Sequence, residues 1–238
     1  LYYADLAGGA LQLPPALLSR VPPTRVLGDC HVSNFGFLTE EGSHGGTVVF
    51  CPNDYDDACM GHAAWDLARY ITSLVLAADY CRGVLAGRYR SGEVGDRADL
   101  TAATEIDALD AGRAFLDAYI GTCRESVDDP ARHDSALTDF PKGHVLRKPL
   151  KKARRRMAGG RDFTTKSTFA KEVEVRNGRP RFRTRPERFA ALDPARTQQV
   201  RQAFRPYVDD DVLDLVLRLG AGTGSVDLER FYLLVGPE

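Results

Sequence analysis

The chain of 238 residues is long enough for one large domain or two small ones. Its formal net charge of −1 argues against a nucleic-acid-binding or polybasic membrane-surface protein, and no apolar run approaches the roughly 20 residues that span a bilayer. The five cysteines are odd in number and lack C-x-x-C spacing, which argues against a disulfide-stabilised scaffold and indicates a reducing, cytoplasmic location.

The first quarter of the chain predicts short elements around one hairpin. Residues 1–25 contain brief helical patterns broken by Gly-Gly and Pro-Pro pairs, and Val26-Leu27 begins the first strand. Residues 39–46 predict a turn, so that residues 47–50 form the second arm of a β-hairpin. The chain begins at Leu1 and ends at Glu238 just after an apolar run, so we expect it to be an internal part of a longer protein.

The remaining elements follow from periodicity. Apolar residues at helical spacing predict an amphipathic helix over residues 63–78, and further helices begin near residue 101 and cover residues 195–207. Residues 140–190 are basic and partly irregular by composition, with the strongest run at residues 147–156. Leucine at every second position from 213 to 219 predicts a strand, and residues 231–235 predict its partner in a glycine-rich hairpin.

Two acidic groups lie between residues 26 and 66. The first is Gly28-Asp29-Cys30-His31-Val32-Ser33-Asn34, and the second is Asn53-Asp54-Tyr55-Asp56-Asp57. In an extended segment Asp54 and Asp56 would lie on one side, about 6–7 Å apart, and would repel by about 3 kcal/mol at an effective dielectric of 20. The second group is therefore either a solvated surface turn or a site for a hard cation such as Mg²⁺ or Ca²⁺.

The spacing within the first group favours a cation site over a solvated turn. Asp29 and Asn34 are five residues apart, as are the catalytic Asp and the metal-binding Asn of the kinase pattern H-R-D-x-x-x-x-N. In that pattern the Asp accepts the proton of the attacking hydroxyl, and a second Asp, one hairpin later, completes the metal contacts. Asp54 occupies that later position.

The motifs GDCHVSN, NDYDD and WDLARY, in this order, resemble the bacterial family known as domain of unknown function 2252. More broadly they resemble the aminoglycoside- and choline-kinase-like branch of the protein-kinase-like superfamily. The resemblance implies that Asp29 is the catalytic base, that His31 is the second histidine of the loop, and that Asn34 is a metal ligand. It further implies that Asp54 is the principal Mg²⁺ ligand and that Asp66 braces the catalytic loop from the start of a helix.

The sequence departs from this branch in two places. Leu27 stands where the branch has histidine, and the glycine-rich segment follows the catalytic loop instead of preceding it. We interpret the closing hairpin as the start of a circularly permuted nucleotide lobe, with a lysine-bearing strand beyond Glu238; an unrelated hairpin is the alternative. The residues expected to cover the nucleotide phosphates are Gly220, Gly222, Gly224 and Ser225.

The sequence thus predicts an α+β, protein-kinase-like fold with a mostly helical catalytic lobe over residues 1–207 and a partial β-rich nucleotide lobe over residues 208–238. The expected function is phosphotransfer that depends on ATP and Mg²⁺, with Asp56 as a support or second-metal ligand and an unknown phosphate acceptor. A nucleotide-binding pseudokinase acting through interaction and a metal-dependent hydrolase are the alternatives. For the basic run at residues 147–156, near-neutral net charge favours a solvated helix face over a nucleic-acid or phosphorylated-substrate site. The oligomeric state stays open.

Overall fold

The computed structural model describes residues 2–19, 21–40, 46–90, 100–220 and 228–236. The described residues form a mixture of helices and antiparallel strands, as the α+β prediction requires. They divide into two compact units, Leu1–Leu150 and Lys151–Glu238. The functional division near residue 207 stays a prediction. Within the described ranges, no helix is both long and apolar enough to cross a membrane.

The first unit begins with two short helices and two pairs of strands, which confirms the predicted brief elements. The predicted hairpin is also confirmed, because its strands pair from Phe35 opposite Pro52 to Thr39 opposite Val48. Residues 41–45 of the predicted turn lie outside the described residues. The first strand pairs with the fourth, and Val26 lies opposite Cys59. These elements are α1 (Tyr2–Ala7), α2 (Pro15–Ser19), β1 (Thr24–Val26), β2 (Phe35–Thr39), β3 (Val48–Pro52) and β4 (Cys59–Gly61).

Two long helices complete the first unit. The predicted amphipathic helix is confirmed as α3 (Ala63–Leu85), and it continues past residue 78. The next helix, α4 (Glu105–Asp128), begins four residues later than expected, because Thr104 caps it: the Thr104 hydroxyl accepts from the Asp107 N–H at 3.1 Å, and the Asp107 carboxylate accepts from the Thr104 N–H at 2.8 Å.

The second unit contains two small antiparallel sheets and one longer helix. The predicted closing hairpin is confirmed, since β8 pairs with β9 and β7 adds a third strand. A hairpin of β5 and β6 lies inside the segment interpreted as partly irregular. The elements are α5 (Arg147–Arg156), which crosses the division between the units, then α6 (Phe163–Lys166), α7 (Thr168–Glu172), β5 (Val173–Arg176), β6 (Arg179–Phe182), β7 (Phe189–Ala190), α8 (Pro194–Phe204), β8 (Asp211–Arg218) and β9 (Arg230–Gly236).

The packing of Leu150 gives a test of this fold. Leu150 lies on α5 with 0% of its surface exposed, whereas Leu76 on α3 is 63% exposed. Leu150→Ala leaves a cavity and should lower the free energy of unfolding by about 2–5 kcal/mol. Leu76→Ala, the same chemical change at an exposed helical position, should change it by less than about 0.5 kcal/mol. Urea denaturation followed by circular dichroism measures both, and equal losses in the two variants would contradict the described packing.

Candidate functional site

The loop after β1 is held from the start of α3 by one carboxylate. The Asp66 Oδ2 atom accepts a hydrogen bond from the Leu27 backbone N–H at 2.7 Å, and Oδ1 accepts from the Gly28 N–H at 3.2 Å. Both N–H groups belong to a segment that has just left its strand, so the sheet does not pair them. Asp66 therefore fixes the backbone on which Asp29 sits.

Gly28 makes the turn into this loop possible. Its φ of +81° is in the left-handed region, and a Cβ atom there would lie 2.0 Å from the Asp57 carbonyl oxygen. The Gly28 carbonyl oxygen accepts hydrogen bonds from the Tyr3 hydroxyl at 2.7 Å and from Arg69 Nη1 at 3.1 Å. The close approach to Asp57 brings the loop against the segment that carries the second acidic group.

Arg69 holds the Asp29 side chain. Its Nη2 atom donates to Asp29 Oδ1, and its guanidinium lies over the Tyr2 ring at 5.0 Å. The two charged side chains are partly buried, with exposed fractions of 25% for Arg69 and 23% for Asp29. Arg69 follows Asp66 by three residues, so the side chain that binds the loop backbone and the side chain that binds Asp29 lie on the same face of α3.

His31 faces the other oxygen of the same carboxylate. The His31 Nδ1 atom accepts from the Ser33 backbone N–H at 3.2 Å, which places the proton of the neutral ring on Nε2. That Nε2 atom is 3.5 Å from Asp29 Oδ2. Asp29 thus has one oxygen clamped by Arg69 and one oxygen directed toward an imidazole N–H at a distance that leaves room for another donor.

Asn34 links the two acidic groups. Its Nδ2 atom donates to the Asp29 carbonyl oxygen at 2.9 Å, and its own carbonyl oxygen accepts from the Asn53 N–H at 3.0 Å. Asn34 directly precedes β2, and Asn53 directly follows β3, so both lie at the same end of the hairpin. The backbones of Asn34 and Asn53, the residue before Asp54, are therefore brought together.

Asp54 has an unusual backbone. It is an exposed, non-glycine residue with φ of +67°, a conformation that costs an ordinary L-residue about 1–2 kcal/mol. Such conformations cluster at functional sites. Because β3 ends at Pro52 and the chain turns at Asp56 and Asp57, the spacing expected for Asp54 and Asp56 in an extended segment does not apply.

The predicted phosphate-covering residues fall mostly outside the structure's described ranges. Gly220 directly follows β8, is exposed and has φ of +64°. Gly222, Gly224 and Ser225 lie outside the described residues. Their role in covering a phosphate stays a prediction.

Two further features border the loop. Burial raises the pKa of the Cys30 thiol to about 11, so Cys30 is a neutral thiol at physiological pH and not a nucleophile. A cavity of about 640 Å³ adjoins His31 and Arg69 and extends along α3 to Leu76 and Tyr80. Within the described ranges, no three His, Cys, Asp or Glu side chains form a cluster able to hold a metal ion.

Sequence reasoning did not identify Arg69, Tyr2, Tyr3 or Ser73. Arg69 had a local signal, because it lies one helical turn after Asp66. Ser73 accepts a hydrogen bond from the Val32 N–H at 3.0 Å, and the two tyrosines reach the site from α1. Ser73, Tyr2 and Tyr3 contact residues that are far from them in the chain, so no local spacing in the sequence predicts these contacts.

Asp66→Asn tests the brace. An amide presents one oxygen and one NH₂ group, so one of the two loop N–H groups loses its acceptor, at a cost of about 1–3 kcal/mol in unfolding free energy. Amide hydrogen exchange at Leu27 and Gly28 should accelerate. Asp79→Asn is the matched control on the same helix: Asp79 makes exposed ion pairs with Arg82 and Arg88, and its loss should cost less than about 0.5 kcal/mol. Unchanged exchange at Leu27 and Gly28 in Asp66→Asn would contradict this assignment.

Gly28→Ala tests the turn. Gly87 has a similar φ of +71° with no atom near its would-be Cβ, so Gly87→Ala measures the backbone cost without a clash. Gly28→Ala should destabilise the protein by about 1–3 kcal/mol more than Gly87→Ala, since the added methyl group meets the Asp57 backbone. Thermal and urea unfolding of both variants measure the difference. Equal effects would show that the loop does not approach Asp57 as described.

Comparison with known families finds a match in the N-terminal part of the chain. The family described as an uncharacterized protein conserved in bacteria (DUF2252) matches residues 1–84. This range contains the Asp29 loop, the β2–β3 hairpin and nearly all of α3, which together build the site. No curated protein and no solved structure matches the chain. Over residues 1–84, the chain is therefore similar to this bacterial family.

Proposed function

We propose that the protein is a phosphotransferase that uses ATP and Mg²⁺ in a protein-kinase-like fold. The observation that supports this most is the environment of Asp29, with one carboxylate oxygen clamped by Arg69 and the other left toward His31. A general base needs a fixed carboxylate with one oxygen accessible to the proton that it accepts. Asn34 and Asp54 lie at the same end of the adjacent hairpin, where they would supply oxygen ligands to the proposed Mg²⁺ ion.

In this proposal Asp29 Oδ2 accepts the proton of the acceptor hydroxyl as that oxygen bonds to the γ-phosphorus and ADP leaves. Arg69 keeps Asp29 oriented, and the Nε2 side of the His31 ring lines the approach to Oδ2. Phosphoryl transfer needs little covalent help from a protein, so positioning and charge neutralisation supply most of the acceleration. The acceptor itself is unassigned.

The side chains available near Asn34 fit Mg²⁺ in chemical type. The Asn34 amide oxygen and the Asp54 carboxylate would hold the ion, and Asp56 would support it or hold a second one. Mg²⁺ commonly takes one or two protein ligands and completes its octahedron with water and phosphate oxygens, so a larger cluster of carboxylates is not required. When bound, the ion would neutralise charge on the transferred phosphoryl group. Residues 220–225 would cover the phosphates.

The proposed compartment is the cytoplasm, which supplies ATP. All five cysteines are free, which agrees with a reducing compartment.

Asp29→Asn separates catalysis from binding. It removes the base and keeps the size of the side chain, so ADP formation in the presence of a mixture of candidate acceptors should fall by about 10²–10⁴-fold. Binding of ATP with Mg²⁺, measured by calorimetry, should change by less than about threefold, because the Asn34 and Asp54 ligands are intact. Asp79→Asn, outside the site on α3, should retain full turnover.

The same assay separates the alternatives. Nucleotide binding without turnover in the unsubstituted protein would favour a pseudokinase. Metal-dependent phosphate release that does not require a nucleotide would favour a hydrolase. A protein that binds no nucleotide in the presence of Mg²⁺ would contradict both nucleotide-based functions.

A further inference from the structure

A second cavity lies entirely within the unit that begins at Lys151. Its volume is about 990 Å³, at the upper end of the range for small-molecule sites. β6 and the segment that follows it form one side, and α8 and β8 contribute the rest. This cavity has no part in the site around Asp29.

The cavity is lined by arginines from three parts of the unit. The arginines are Arg179, Arg181, Arg183, Arg185 and Arg201, and the carboxylates that accompany them in the lining are Asp211 and Asp214. Arg179 and Arg181 lie two residues apart on β6, so their side chains leave the strand on the same side. The lining therefore carries an excess of positive charge.

Three of the guanidinium groups are oriented by backbone carbonyl oxygens. Arg183 donates to the Ala170 carbonyl at 3.2 Å, Arg185 donates to the Lys171 carbonyl at 3.0 Å, and Arg201 donates to the Val212 carbonyl at 2.5 Å. A guanidinium has five N–H donors, so each of these contacts leaves donors for another acceptor. These three arginine side chains are thus ordered before any ligand arrives.

The carboxylates that face Arg181 and Arg183 compensate them weakly. Arg181 and Asp214 are 3.7 Å apart, and Arg183 and Glu174 are 3.5 Å apart, so both are loose ion pairs and not hydrogen bonds. Arg185 lies 3.3 Å from the buried carboxylate of Glu172, which also pairs with Arg188. The side chains of Arg181 and Arg183 are 48% and 41% exposed. Long, partly exposed ion pairs of this kind are weak, so both guanidinium groups keep donors for an anion of higher charge.

The net positive charge of the surrounding unit also favours an anionic ligand. Residues 151–238 contain 19 Lys and Arg against 12 Asp and Glu, whereas residues 1–150 contain 13 against 21. The near-zero net charge of the whole chain hides this asymmetry. A positive field around a concave site attracts anions and raises their local concentration.

We propose that this cavity, named here the arginine cavity, binds a compact, multiply charged phosphate group, such as the di- or triphosphate of a small ligand. Arginine suits this chemistry because its planar fork donates two parallel hydrogen bonds to a phosphate. Because the arginines themselves neutralise the charge of the phosphate, binding does not need Mg²⁺. The inference does not rest on phosphotransfer at Asp29, and it holds whether or not that activity is found.

Calorimetric titration of the protein with inorganic tripolyphosphate, in EDTA and at low salt, tests the arginine cavity. The expected result is saturable binding that weakens steeply as salt is added. Arg179→Gln should weaken binding severalfold, and the double variant with Arg181→Gln should weaken it at least about tenfold, since two charge-assisted contacts are lost. Arg179 is exposed on β6, so its replacement leaves the fold intact, as circular dichroism melting can verify.

Arg176→Gln is the matched control. Arg176 lies opposite Arg179 in the β5–β6 pair and is not part of the cavity lining. The same charge change there should leave the affinity within about twofold, because Arg176 supplies no donor to the lining and touches it only through Glu174, the carboxylate that also faces Arg183. An equal loss in Arg176→Gln and Arg179→Gln would show a diffuse response to net charge and would overturn the proposal.

Parallel titrations identify the source of the phosphate. Tighter binding of ATP in EDTA than of tripolyphosphate would support a nucleotide ligand, and equal binding would support the polyphosphate group itself. A single-stranded oligonucleotide that binds more tightly than either, with equal sensitivity to Arg176 and Arg179, would mean an extended nucleic-acid surface and would overturn the cavity proposal. The absence of tripolyphosphate binding at low salt would overturn it as well. Retained binding in Asp54→Asn distinguishes this cavity from the Mg²⁺-dependent site.

Discussion

The pair of hydrogen bonds from the Leu27 and Gly28 backbone to Asp66 is the interaction on which the candidate site depends. A chain that turns sharply out of a strand leaves N–H groups without partners, and burying them unpaired costs about as much as a lost hydrogen bond. A carboxylate at the start of a long helix satisfies two of them at once. Because α3 is 23 residues long and packs against α4, the carboxylate stands on a rigid element.

The other polar residues of the site are positioned by that fixed backbone. The left-handed turn at Gly28 directs Asp29 toward Arg69, which comes from the next turn of α3. Asn34 then connects the loop to the far end of the hairpin, next to the positive φ of Asp54. A loop, a helix and a hairpin thus each contribute to a group of polar side chains that is spread over some 40 residues of sequence. This arrangement is consistent with the proposed roles of Asp29 as a base and of Asn34 and Asp54 as oxygen ligands of a metal ion.

Much of the fold could be predicted where the signal was periodic. Apolar residues at helical spacing identified α3, and alternating leucines identified β8. In both cases the face that packs against the protein carries apolar residues at the period of the element. The β5–β6 hairpin was missed because β6 (Arg-Pro-Arg-Phe) contains a proline and lacks that alternation, although Val173 and Val175 of β5 do alternate with charged residues. A local signal was nevertheless present: Asn177-Gly178 is a favoured pair for a two-residue turn, and both residues have positive φ. In the site, the spacing of Asp29 and Asn34 was informative, but the clamp by Arg69 and the contacts of Tyr2 and Tyr3 depend on tertiary packing.

The proposed metal site lies at the end of the β2–β3 hairpin, and paramagnetic NMR tests it most directly. With Mn²⁺ in place of Mg²⁺ and a non-hydrolysable ATP analogue, the amide resonances of Asn34 and Asp54 should broaden together. The broadening at Asn34 should disappear in Asp54→Asn, because both side chains are proposed to hold one ion. Sharp resonances at both residues, or broadening at Asn34 that persists in Asp54→Asn, would contradict the account.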